Sequence, residues 1–124
     1  MKTDHGLFPA LRQKLAQIPQ LTSVKIYLLQ PPQHHYPMII LQPEQIRAAY
    51  GKKRIFFSGE ISVAATQQAI LSFYGQLMAV AFEGGPLMLE DQTQASIRFI
   101  EHTFTPIDKH GICALKQSFA ALIH

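Results

Sequence analysis

Residues 55 to 63 constrain this chain more than any other stretch. Ile55, Phe57, Gly59, Ile61 and Val63 alternate with Phe56, Ser58, Glu60 and Ser62, the two-residue period of a strand with one apolar face. Such a strand carries a row of backbone N–H and C=O groups along each side, which are satisfied only by pairing it into a sheet. Its apolar face then needs a covering layer. The expected strand runs from Lys53 to Val63 and is entered through a basic turn, Gly51 to Arg54.

Two segments have the helical period that could supply the layer. Leu7, Phe8, Leu11, Leu15 and Ile18 fall on one side, with Arg12, Gln13, Lys14 and Gln17 between them, so residues 6 to 18 read as an amphipathic helix. Asp4 or Gly6 would cap its start, Pro9 is tolerated in the first turn, and Pro19 stops it. The second helix is expected from a cap at Thr66 to Glu83. Ile70, Phe73, Leu77 and Val80 share its expected buried face, flanked by Tyr74, Met78 and Ala81. At its end, in Gly84-Gly85-Pro86, glycine supplies the left-handed cap and proline forbids continuation. Gly75 lies in its interior, where glycine costs about 1 kcal/mol relative to alanine. That cost points to a close approach between the helix backbone and a neighbouring sheet or subunit.

The remaining elements read as strands and turns. Val24, Ile26 and Leu28 alternate with polar neighbours, giving a strand over about 23–29, and the proline-rich stretch 30–37 must be a loop. Met38 to Leu41 reads as a strand buried on both faces and cut at Pro43. Residues 44–50 fit either a short helix or an irregular strand extension. Residues 86–90 form a short strand and 91–93 a turn. In the next strand the apolar phase shifts from Ala95, Ile97 and Phe99 to Ile100 and Phe104, as a bulge requires. Residues 106–111 turn the chain. The last segment, with Cys113, Leu115, Phe119, Ala121 and Ile123, fits a strand better than a helix. The expected fold class is α+β: a mainly antiparallel sheet with two helices packed on one face.

Composition narrows the chemistry. A chain of 124 residues is expected to form one domain, 1–124, with enough core to need no metal or disulfide staple. One cysteine, Cys113, removes disulfide and CxxC zinc frameworks. Charged residues are 15% of the chain against about 25% in a typical soluble domain, and glutamine supplies much of the polar surface. Such a surface favours burial against other subunits. The formal net charge of +3 is not a nucleic-acid balance in itself. Lys2 and Asp4 near the start, with no apolar run behind them, argue against a signal peptide. Leu77 to Phe82, the longest nearly uninterrupted apolar run, is far short of the roughly 20 residues that span a bilayer.

Reactive groups do not assemble into a catalytic pattern. His102, His110 and Cys113 match no zinc spacing, and adjacent His34 and His35 point to opposite sides of an extended chain. Cys113 alternates with Leu115 on what reads as a core face, so burial is the better reading than a thiolate nucleophile. Glu60, Glu90 and Asp91 read as solvated charges. Lys52, Lys53 and Arg54 are the one basic cluster. They read as a solvated hairpin tip, and a small nucleic-acid-binding module using 52–54 is the competing function.

In order and spacing, several segments resemble the tail-completion, or tail-terminator, proteins of long-tailed bacteriophages and gene transfer agents. They are the opening helix LFPALRQKLAQI, the strand–turn–strand VKIYLLQPPQHHYPMIIL, RIFFSGEISV, the helix TQQAILSFYGQLMAVAF and the closing ASIRFIEHTFTPIDKHGICALKQSFAALI. The resemblance implies a non-enzymatic subunit of a ring, commonly six-fold, that caps the head-proximal end of a tail tube and prepares it for head joining. It implies no cofactor. The implied partners are copies of the chain itself, tail-tube and head-completion proteins, and DNA that passes through without sequence-specific binding. The implied location is the cytoplasm during assembly and then the virion. On that expectation Met38, Ile40, Arg54, Phe56, Ser58 and Glu60 are candidate subunit-interface residues, from the strand Lys53–Val63 and an edge formed by Met38–Leu41. Lys52, Lys53 and Arg54 are candidate partner or DNA contacts.

Overall fold

The computed structural model describes residues 6–28, 33–49 and 51–123. Their elements are α1 (Leu7–Ala16), a 3-10 turn (Pro19–Leu21), β1 (Lys25–Tyr27), β2 (Met38–Ala49), β3 (Lys52–Ala64), a second 3-10 turn (Ala65–Gln67), α2 (Ile70–Glu83), β4 (Leu87–Met88), β5 (Gln94–Thr105) and β6 (Ile112–Ile123). Six strands form one sheet in the order β1-β2-β3-β6-β5-β4. Only β1 and β2 run parallel; the other neighbours are antiparallel. The chain is therefore α+β with a mainly antiparallel sheet, and the closing segment is the strand its alternation implied.

Beta3 and β6 form the spine, paired without a break from Lys53↔Ile123 to Ala64↔Ile112. Their odd-numbered residues share one face, where Phe57 lies opposite Phe119 with ring centroids 5.3 Å apart and planes at 17°. Phe8 of α1 meets Phe57 edge-on at 5.9 Å. Phe82 of α2 meets Phe119 at 5.2 Å and Phe57 at 5.9 Å, and Phe99 of β5 meets Phe119 at 5.7 Å. Burial of each large side chain contributes roughly 1.5–3 kcal/mol, and the edge-to-face geometry adds to that.

Several expectations are corrected. Pro43 does not end β2, which runs on to Ala49, because the register shifts between Pro43 and Gln45. A proline at a bulge lacks only a hydrogen bond the ladder does not need there. The second bulge, between Phe99 and Glu101, accounts for the phase shift in β5. Thr66 does not cap α2: it lies in the 3-10 turn, and the helix starts at Ile70 after Ala69 with no side-chain cap. The buried face of α2 is Leu71, Tyr74, Gly75, Met78 and Phe82, while Phe73 and Val80 are 45% and 71% exposed. Of the two glycines that end α2, Gly84 has φ −75 and Gly85 is the one with positive φ, at +143. Among the start-cap candidates of α1, Gly6 takes the N-cap position with φ +78, and Asp4 lies outside the described residues.

Glycine at position 75 answers the close approach. A Cβ there would lie 2.7 Å from both Leu115 Cδ2 and Gln117 Nε2, so α2 sits directly on β6. Gly59 does the same from the sheet side, where a Cβ would meet Met78 Sδ at 2.7 Å.

The β5–β6 turn is held by one carboxylate. Asp108 Oδ1 accepts the backbone N–H of His110 at 2.8 Å and of Ile112 at 3.0 Å. These bonds, the one from Ile112 foremost, favour the ionised form and hold the Asp108 carboxyl below its ordinary 3.8. A folded-state value below the unfolded one stabilises the turn at neutral pH, and that contribution disappears as pH falls through the folded value. The Asp108 carboxyl carbon should therefore titrate with a midpoint below 3.8 by NMR; a midpoint at or above it contradicts the turn geometry.

Truncating the ring at the centre of the aromatic cluster tests the core. Phe119→Ala should lower unfolding free energy by about 3–5 kcal/mol in a urea titration. A loss below about 1 kcal/mol would mean that Phe119 is not buried among the rings of Phe57, Phe82 and Phe99.

Candidate assembly surface

The face of the sheet away from the aromatic cluster is set by strand alternation. From β3 it carries Lys52, Arg54, Phe56, Ser58, Glu60 and Ser62. Register adds Met38 and Ile40 of β2, opposite Ser62 and Glu60, and Ala114, Lys116, Ser118, Ala120 and Leu122 of β6. All six candidate interface residues thus share this outer face. They differ in access: Met38, Ile40 and Ser58 are 3%, 3% and 4% exposed, whereas Arg54 is exposed and Phe56 and Glu60 are half-buried. The expected edge at Met38–Leu41 is not one, since β1 pairs with Met38, Ile39 and Ile40. Beta3 is interior, between β2 and β6.

The basic cluster is not a turn either. Lys52, Lys53 and Arg54 are all strand residues, and the turn is at Gly51, with φ +77. Alternation divides the cluster: Lys52 and Arg54 point to the outer face and Lys53 to the other. Arg47 and Arg54 are register partners, and the Arg47 guanidinium lies 5.4 Å from the Phe56 ring centre. Arg98, opposite Ala120, completes a cationic end of the face. Small Ser96 and Ala120 leave a depression of about 280 Å³ between Arg54 and Arg98, walled by Phe56, Ile100 and Leu122. Glu44 and Lys116 pair at 3.1 Å farther along.

A second feature lies beside α2. A groove of about 770 Å³ is bordered by Leu71, Ser72, Gly75, Gln76 and Glu83 of the helix and by Phe99, His102, Phe104, Leu115 and Gln117 of the sheet. Gln117 is 6% exposed, and its Oε1 has no hydrogen-bond partner among the described residues. At one end the Glu83 carboxylate accepts the N–H of Phe99 at 3.2 Å, beside the β5 bulge. No sequence pattern singles out Glu83 or Gln117; both acquire their setting from the bulge and from Gly75.

The reactive candidates are dispersed. His102 lines the groove, its ring 6.2 Å from that of Phe99, and pairs in register with Gln117. Cys113 is 1% exposed, four residues back along β6, with Sγ 3.9 Å from the Val63 carbonyl. His110 stands exposed in the β5–β6 turn. Among the described residues no three His, Cys, Asp or Glu side chains are grouped to hold a metal ion. His34 Nδ1 and the Tyr36 hydroxyl share a hydrogen bond of 3.0 Å in the exposed loop. Asp91 accepts the Thr93 N–H at 3.1 Å, shaping the turn between β4 and β5. No described helix is long and apolar enough to cross a membrane.

No protein-family model matches the chain, and no curated protein does. A solved structure does match in shape. A chain of the "Virion of native gene transfer agent (GTA) particle" superposes with a TM-score of 0.78, over 95% of this chain and 94% of that one, at 17% identity. What the two chains share is the fold. The six strands and both helices therefore reproduce an architecture found in a virion, with most side chains changed.

An unpartnered buried carboxamide oxygen is costly. Replacing Gln117 by the similarly sized Met should raise unfolding free energy by roughly 1 kcal/mol, read from a urea midpoint. A loss of 1 kcal/mol or more would show that the carboxamide is satisfied in the free protein.

Proposed function

We propose that this chain is a structural subunit of a phage-like or gene-transfer-agent virion. In this reading it is a tail-terminator-like domain that forms a ring, six copies in the simplest case, on the head-proximal end of the tail tube. The ring stops tube growth and supports head joining, and DNA passes through without sequence-specific contacts. The observation that carries the reading is the fold likeness, over nearly the whole of both chains, to a component of a gene transfer agent virion. The segment order that resembles tail-completion proteins points the same way.

Surface chemistry supports assembly over catalysis. With both helices on one face of the sheet, the opposite face and the sheet margins are left for neighbours. Phe73, Val80, Met88, Ile100, Phe104 and Ile107 are each 45% exposed or more, an apolar excess that suits contact with other subunits. The role in this reading is non-enzymatic: catalysis would need a nucleophile, base and acid within hydrogen-bond reach, whereas His102 pairs with Gln117, Cys113 is 1% exposed and His110 stands in the exposed β5–β6 turn. Its partners are copies of itself, the tail-tube protein and head-completion proteins, and its place is the assembling cell and then the particle.

Sedimentation of the purified protein, alone and with tail-tube protein, tests this directly. A closed oligomer in either condition, seen as rings by negative-stain microscopy, is the expected result; a strict monomer in both overturns it. Phe56→Asp, on the outer face, should abolish the oligomer while leaving the urea midpoint within about 1 kcal/mol of the parent.

A further inference from the structure

We propose that the depression between Arg54 and Arg98 on the outer face receives a glutamate side chain from a different protein of the particle. This rests on the reading of the chain as a virion subunit and names the chemistry of one partner contact.

Three observations lead to it. First, two arginines meet over one hollow. Arg54 lies opposite Leu122, Phe56 opposite Ala120, and Ala120 opposite Arg98. The arginines therefore stand at diagonal corners of a patch three strands wide, about 12 Å apart at Cα. The short side chain of Ala120 between them leaves the floor open, in a volume of about 280 Å³. Second, these cations lack counter-ions. Both are exposed, and neither is ion-paired among the described residues. Arg54 also faces Arg47 across β2 and β3, a like-charge pair that costs stability in the free chain and that a bound anion would relieve. Third, the walls are apolar, formed by Phe56, Ile100 and Leu122.

Those walls select among anions. A glutamate reaches in through two methylenes that the apolar walls cover, and its carboxylate matches the planar forks of the arginines. A DNA phosphodiester carries no apolar stem, and a few cations contribute little to its affinity at physiological salt. Arginine set among apolar side chains in a pocket is also the composition of a binding hot spot.

The acid comes from a different protein because this chain has none to give from another surface. Among the described residues, Glu44 pairs with Lys116, Glu83 holds the Phe99 N–H and Asp108 holds its own turn. Glu90 and Asp91 have partners of their own. Glu60 and Glu101 remain, opposite Lys116 and Ser118 on the same outer face as the arginines. A second copy could bring either of them only by laying outer face on outer face. Such a contact is isologous and closes at two copies instead of running round a ring.

The test is methyl NMR of the full chain titrated with the capped peptide acetyl-Leu-Glu-Leu-amide, with urea midpoints to confirm that each variant folds. The Ile100 and Leu122 methyls should shift saturably, and the neutral peptide acetyl-Leu-Gln-Leu-amide should bind at least about tenfold more weakly. Arg54→Gln and Arg98→Gln should each weaken binding about tenfold. Ala120→Leu should cost as much, because it fills the hollow while keeping both charges, which separates a fitted site from diffuse attraction. Equal binding of the two peptides, or undiminished binding to Ala120→Leu, overturns the site. Shifts of these methyls with inorganic phosphate or a DNA duplex, at concentrations where the glutamate peptide gives none, make it a phosphate site and overturn it too. If dilution of the peptide-free protein moves the same methyls, and Arg98→Gln abolishes that response, a second copy fills the hollow and the proposal falls. A chain that binds the peptide as expected yet stays monomeric with and without tail-tube protein keeps this site and loses the ring reading alone.

Discussion

The pairing of β3 with β6 is the constraint on which the rest depends. Twelve consecutive residue pairs hold these two strands together at the centre of the sheet, and because side chains alternate, one register assigns every residue of both strands to a face. Phe57 and Phe119 are brought face to face on one side, where Phe8, Phe82 and Phe99 close around them. The same register carries Arg54, Phe56 and Glu60 to the other side. A slip of one residue would bury the charges and expose the rings. Core and surface are therefore two consequences of a single alignment.

What could be read from the amino acids follows from how much each position's neighbours decide. The period of Ile55 to Val63 stands alone as a strand signal, and β6 was distinguishable by the same alternation. Alpha2 was visible as a helix but its orientation was not, because ILSFYGQLMAVAFE is apolar nearly all round and every side offers a plausible stripe. Gly75 held the missing information: the one position without a side chain marks the line along which the helix touches β6. Beta2 was truncated at Pro43 because a proline reads as an ending unless a bulge excuses it, and bulges depend on the partner strand.

The surface was less legible than the core for the same reason. Lys52, Lys53 and Arg54 are contiguous in sequence and read as one cluster, but pairing separates Lys53 from its neighbours and joins the others to Arg47 and Arg98, which are far away in the chain. Charge arrangement on a sheet is a two-dimensional property, and a linear reading sees one dimension of it.

The margins of this sheet also limit how copies can associate. Outer strands invite backbone pairing with other chains, which has no built-in stopping point. Here β1 has three residues and β4 two, too short to template an added strand. Beyond β1, the exposed side of β2 is interrupted by Pro43 and its bulge. Beyond β4, the bulge in β5 breaks the row of donors, and the Glu83 carboxylate takes the N–H of Phe99. With backbone addition discouraged at both sides, association is left to side chains at defined heights. Such contacts fix the rotation between neighbours, and a fixed rotation is what distinguishes a ring that closes from a sheet that keeps growing.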